Sequence, residues 1–223
     1  MSLRKKTIFF ENQDFEAKGY NAEKIIFDFI KDIFSERICV AKHGYIMNFV
    51  KNKFTIESDI LLLDKELGIN IFEVKGIKID NIRSISINGW NCEGIYKDLI
   101  NPNYQVDRNA TNILEFLKTY CKMTDCVGVK PIVVLPYITK SEWRAKGFES
   151  YAFLPPIMFK DDFKSKKVFF EKLNNIPYKC ASKRLMKDYE FDEIKNILFG
   201  NIENKNVPYS VISEEDLLRK LLE

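Results

Sequence analysis

Histidine is almost missing from this chain: His43 is the only one. Cysteine is present, but Cys39, Cys92, Cys121, Cys126 and Cys180 are odd in number and show no C-x-x-C pair. Both facts argue against a zinc site, which needs several nitrogen or sulfur ligands at close spacing. The cysteines lie mostly in apolar or helical runs, so reduced core thiols are expected rather than a disulfide frame. No apolar run approaches the ~18 residues that suggest a membrane helix. The opening MSLRKKTIFF is basic but carries no apolar segment of signal-peptide length, so a cytoplasmic protein is expected. A Gly-x-x-x-x-Gly-Lys-Ser/Thr loop is also lacking, so any ATP-driven motor would have to lie elsewhere. Net charge is only +3, and an argument for a polyanionic partner has to be local.

What the chain does have is a 46% hydrophobic content over 223 residues, enough for one large domain or a core with an appended subdomain. Its most informative stretch is Thr55 to Gly76, TIESDILLLDKELGINIFEVKG. The apolar runs Ile60 to Leu63 and Ile69 to Val74 flank a polar, Gly-ended loop, which predicts a hairpin of buried strands. If Leu63 pairs with Ile69, Leu61 faces Ile71 and Asp59 faces Glu73. Alternation of side chains then puts Asp59, Glu73 and Lys75 on one face. Like charges opposite one another destabilise a sheet, so something must offset them.

Around this hairpin the order reads helix, strands, helix, strand, an α/β sheet with helices packed on it. The first helix starts near Asn21 with apolar Ile25, Ile26, Phe29, Ile30, Ile33 and Phe34, and Glu23 falls in its first turn. Arg37 to Ala41 and Tyr45 to Val50 read as separate strands about a His43-Gly44 turn. Ile82 to Ile87 alternates apolar and polar up to an Asn88-Gly89 turn, so a third successive strand and an antiparallel meander are expected. Trp90 to Ile100 has no clean period. A helix follows from Asn103 to Tyr120, carrying Gln105 and Asn109 on one face: a polar pair facing a site, or a solvated face. Val129 to Leu135 reads as a strand covered on both sides, with Pro131 hinting at an edge or a strand start.

Past Pro136 the stretch to Pro156 is aromatic and irregular. Helices are expected at Asp161 to Leu173 and Ser182 to Phe199, a linker from Asn201, and a small helix at Leu217 to Leu222. Three parts are therefore expected: a core over 1–136, a helical and aromatic subdomain over 137–200, and 201–223 beyond it. Lys164, Lys166, Lys167, Lys172, Lys179, Lys183, Arg184 and Lys187 crowd together there. They make either a phosphate-binding surface or a solvated face.

An acid-x-Lys triplet recurs at Glu16, Asp162, Glu193 and Glu203, but only Glu73-Val74-Lys75 lies in an apolar strand with an acid opposite. Two readings of that group are open. In one, Lys75 merely bridges the acids. In the other, Asp59 and Glu73, with the Val74 carbonyl between them, form a hard oxygen site for Mg²⁺ or Mn²⁺. Such an ion would neutralise an attacked phosphate and acidify water, while Lys75 orients or deprotonates that water and stabilises the oxyanion.

A helix bearing Glu23, a strand with Asp59 and then Glu73-x-Lys75 resembles the PD-(D/E)xK nuclease superfamily. More narrowly, Glu57-Ser58-Asp59, Phe72-Glu73-Val74-Lys75-Gly76, Trp90, and Asn101-Pro102 followed by Gln105 and Asn109 resemble the nuclease-related domain, NERD. The resemblance spans about Gly19 to Leu135. It implies a restriction-endonuclease-like core with a mixed sheet, and Mg²⁺- or Mn²⁺-dependent hydrolysis of DNA. The catalytic set it implies is Glu23, Asp59, Glu73, Lys75 and Gln105, with metal ligands from Asp59, Glu73, Val74 and Glu23. It departs at Ala22, where a glycine is usual, and at Ser58, where an apolar residue is usual. Because family members occur fused to helicases, a catalytically inactive module that binds DNA or a protein such as a helicase is the alternative, followed by a purely structural accessory domain.

Overall fold

The expected hairpin lies inside the main sheet, in the register that the apolar runs dictate. The computed structural model describes residues 7–11, 19–49, 54–120, 127–151, 154–179 and 185–203. Strands β1 (Thr7–Phe10), β2 (Cys39–Phe49), β3 (Phe54–Asp64), β4 (Gly68–Val74), β7 (Val129–Leu135) and β8 (Ile157–Phe159) form a six-stranded sheet in the order β1-β2-β3-β4-β7-β8. Leu63 pairs with Ile69 and Leu61 with Ile71. The sheet is mixed: β2-β3-β4 are antiparallel, whereas β1 joins β2, β7 joins β4 and β8 joins β7 in parallel. The chain is thus α/β, with helices on both faces of a mixed sheet.

Each face takes the apolar stripe of different helices. Helix α1 (Tyr20–Phe34) buries Ala22, Ile26, Phe27, Ile30, Ile33 and Phe34 against Ile60, Leu62, Phe72 and Val74, where α4 (Lys166–Asn175) adds Phe169 and Leu173. Helix α2 (Pro102–Tyr120) covers the other face with Val106, Ala110, Ile113, Phe116 and Leu117, beside Leu61, Leu63, Ile69 and Ile71. There α3 (Lys140–Ala145) contributes Trp143, and α5 (Asp188–Glu203) contributes Phe191, Ile194 and Leu198. Full burial of one such side chain is worth about 1.5–3 kcal/mol, so the two layers supply most of the driving force. Among the described residues no helix is long and apolar enough to cross a membrane.

Several expectations need correction. His43-Gly44 is no turn: β2 is continuous through it, because Gly44 at φ 63° bends the strand instead of reversing it. The bend exchanges faces, since Val40 before it and Tyr45 and Met47 after it belong to the same core cluster. Ile82–Ser86 (β5) is not a third strand of a meander. It pairs with β6 (Gly89–Cys92) in a separate two-stranded sheet, because the edge of β4 is taken by β7.

Pro131 sits in an interior strand rather than at an edge. The Val133 N–H donates to the Pro156 carbonyl, so odd positions of β7 face β8. Since β8 pairs only with Val133 to Leu135, the missing proline N–H falls where no partner strand runs. Helix α1 starts at Tyr20 with Gly19 as cap, one residue ahead of Asn21. The Asp161 to Leu173 helix is two pieces, a 3₁₀ turn at Lys160–Phe163 and α4, which Ser165 caps by accepting the Val168 N–H. Helix α5 begins at Asp188 rather than Ser182 and runs to Glu203, into the expected linker. The sheet itself continues past Pro136 through β8. The Leu217 to Leu222 helix, Cys121, Cys126, Cys180, Lys183 and Arg184 lie outside the described residues. Cys39 and Cys92 are buried free thiols, pushed up to about 12 and about 11 mainly by burial.

Candidate active site

Strands β3 and β4 part at the end away from their turn. Their pairing runs from Asp64–Gly68 only as far as Ile60–Phe72. Beyond that point β4 stays with β7, the Lys75 N–H donating to the Val134 carbonyl at 2.9 Å. Asp59 stands in the resulting fork, and its Oδ2 accepts the Val74 N–H at 2.6 Å. A side chain here takes over a bond that a continued ladder would have made. Buried Ser58 braces the fork, its Oγ donating to the Ile60 carbonyl at 3.0 Å. That explains how a polar residue serves at a position where an apolar one is usual.

Glu73 is fully buried at the end of β4 and receives Lys75 Nζ on Oε1 at 2.5 Å. Lys75 Nζ also reaches Gln105 Oε1 at 3.4 Å, from the first turns of α2. One turn later the Asn109 side-chain amide donates to the Glu57 carbonyl. The Gln105–Asn109 face of α2 therefore spans the fork, touching β4's continuation with one residue and β3 with the other.

Glu23 arrives from the opposite layer. Gly76, directly after Lys75, makes that approach possible: a Cβ there would stand 2.9 Å from the Ala22 Cβ. The glycine that helix and strand need for close contact is thus on the strand, with Ala22 packed against it. Glu23 Oε2 lies 3.1 Å from His43 Nε2, and His43 is fully buried between the Tyr20 and Phe27 rings. Among the described residues His43 Nδ1 has no hydrogen-bond partner.

Electrostatics unites these groups. Burial, followed by the charges of Glu73 and Glu23, pushes the Asp59 carboxyl well above the usual range, against the pull of Lys75 and the Val74 N–H. Glu73 is raised as well, first by burial and then by Glu23 and Glu57, with Lys75 opposing. Burial works against the Lys75 charge, but Glu73 and Asp59 outweigh it and hold the ammonium above its ordinary pKa. Tyr96, raised mainly by burial, lies in the same field.

Two acids therefore share one lysine, and Glu23 adds its charge to both of them. Glu73 Oε2 is the telling atom: buried, and without a hydrogen-bond partner among the described residues. Leaving a buried acceptor unsatisfied costs about 1–3 kcal/mol, and more where the group carries charge. Among the described residues no three His, Cys, Asp or Glu groups stand ready-made around a common point, and Asp59, Glu73 and Glu23 each have one oxygen engaged. The remaining oxygens suit a hard divalent cation in chemical type.

Known families, curated proteins and solved structures offer no match to this chain. Sequence reasoning had passed over His43 and Tyr96. His43 could have been found by carrying the Asp64–Cys39 register along β2, which sets it beside Ile60 at the fork. Tyr96 sits in an aperiodic stretch and left no signal.

Proposed function

We propose that this chain is a Mg²⁺- or Mn²⁺-dependent deoxyribonuclease with a restriction-endonuclease-like core. The observation that carries the reading is the buried, partnerless Glu73 Oε2 in a nest of three acids and one lysine. Asp59 and Glu73, with the Val74 carbonyl, would hold the ion, and Glu23 would support a second ion or its waters. A bound divalent ion supplies the Lewis acidity that neutralises a phosphodiester and lowers the pKa of water. Lys75, kept cationic by Glu73 and Asp59, has no lone pair to take a proton. Its part is to orient the attacking water and to meet the charge growing on the phosphoryl oxygens. Gln105, in contact with Lys75, positions the scissile phosphate. His43 holds Glu23 in place.

The second reading, a module that binds DNA or a partner such as a helicase without cutting, draws support from the Lys75–Glu73 pair, which closes one carboxylate oxygen internally. Incubation with plasmid and with single- and double-stranded oligonucleotides, with and without Mg²⁺ or Mn²⁺, separates the two. Metal-dependent cleavage that is lost in Asp59→Asn supports the nuclease; polynucleotide binding indifferent to metal and to Asp59→Asn supports the module.

A further inference from the structure

Helix α2 presents a second stripe beside the Gln105–Asn109 face. Tyr104, next to Gln105, is 63% exposed, the most exposed aromatic ring among the described residues. The Arg108 guanidinium lies 5.7 Å from its ring centroid. Arg108 has no ion pair among the described residues, and its neighbour Asp107 is already paired with Lys179. Among the described residues Arg108 therefore has no counter-charge. The backbone that carries the ring is held: the Tyr104 N–H donates to Asn101 Oδ1 at 2.9 Å, and the Asn101 amide donates to the Ile87 carbonyl at 3.4 Å. Ile87 and Leu99 are exposed as well.

From this we infer that Tyr104 and Arg108 form a lip that stacks one unpaired base and grips its phosphate, making single-stranded polynucleotide the substrate class. A flat π face with a cation on one side suits any base but needs that base out of a duplex. An exposed guanidinium beside that ring can meet a phosphate, which an apolar protein surface would not supply. The stripe is one residue from Gln105, so a strand lying on it continues toward Lys75. The inference rests on the nuclease reading only for that direction of travel; the binding itself is independent of cleavage.

Fluorescence anisotropy in EDTA, with labelled single-stranded DNA, single-stranded RNA and a blunt duplex, tests it. Tyr104→Ala should weaken single-strand binding about tenfold, Tyr104→Phe should retain it, and duplex binding should change by less than about twofold. Arg108→Ala should flatten the dependence of log affinity on log salt by about 0.7. The DNA and RNA arms report which sugar is preferred. Equal single-strand affinity in Tyr104→Ala, equal losses on duplex and single strand, or a shift only in self-association would overturn the inference. No polynucleotide binding by the unaltered chain would overturn it too. Tight single-strand binding that depends on Tyr104, without cleavage in Mg²⁺, would uphold the lip while counting against the nuclease.

Discussion

The β3–β4 hairpin carries a fully buried acid near each end, and the two are treated differently. Near the turn, Asp64 takes Arg37 in a fork, Nε and Nη2 each at 2.7 Å, and accepts the Glu66 and Leu67 amides at 2.9 Å. The arginine itself lies over the Phe34 and Phe170 rings. At the open end Glu73 has one donor, Lys75, and a second oxygen with none. A buried carboxylate kept for structure is closed on every side. One that is left open, among other acids, is arranged for something that arrives later.

That contrast can be broken by mutation. The largest effect belongs to the closed end: Asp64→Ala leaves Arg37 only the exposed Glu66 and frees the Glu66 and Leu67 amides, and should cost about 3 kcal/mol in urea denaturation, with the Mg²⁺ response of the remaining folded protein unchanged. Next comes Lys75→Ala, which should slow plasmid cleavage about 10²–10³-fold, or roughly 2.7–4 kcal/mol. Unchanged cleavage would remove Lys75 from the chemistry.

Asp59→Asn should move stability the other way. Its amide oxygen can still accept the Val74 N–H, but repulsion with Glu73 and Glu23 is gone, so the metal-free melt should rise by roughly 0.5–2 kcal/mol. The unaltered chain should gain about 2.7 kcal/mol in Mg²⁺ at a hundred times its Kd, and this variant little or nothing. A lowered melt without metal would instead make the Asp59 charge a structural partner of Lys75.

The smallest effect is in pH. Asp59 and Glu73 have folded-state pKa values above those of the unfolded chain, so the folded metal-free protein holds more protons. Its stability from these groups is present below about pH 4, the unfolded carboxylate range, and is lost as pH rises through the raised folded values. Saturating Mg²⁺ should reverse the slope, because the ion competes with protons for the same oxygens. Melts across that range, with and without Mg²⁺, check both signs.

The legible and illegible parts divide along physical lines. The β3–β4 register could be read because two short apolar runs and one Gly-ended loop admit few pairings, and Glu23 because a helix start is local. Gly44 misled because a positive-φ glycine can bend a strand as well as reverse it. The site of Ile82–Ser86 depended on which strand claimed the edge of β4, a tertiary competition that local alternation does not encode. Strand β8 is three residues inside an aromatic stretch, too short for any period. His43 reaches Glu23, and Gln105 reaches Lys75, only once helices from opposite layers close on the fork.

The central claim is that the open oxygens of Asp59 and Glu73 are built to share a cation. The most direct measurement is anomalous diffraction from crystals soaked in Mn²⁺. The account predicts a peak between those two carboxylates, on the oxygens that Val74 and Lys75 leave open. No peak there at saturating Mn²⁺, with the Lys75–Glu73 pair intact, would contradict it.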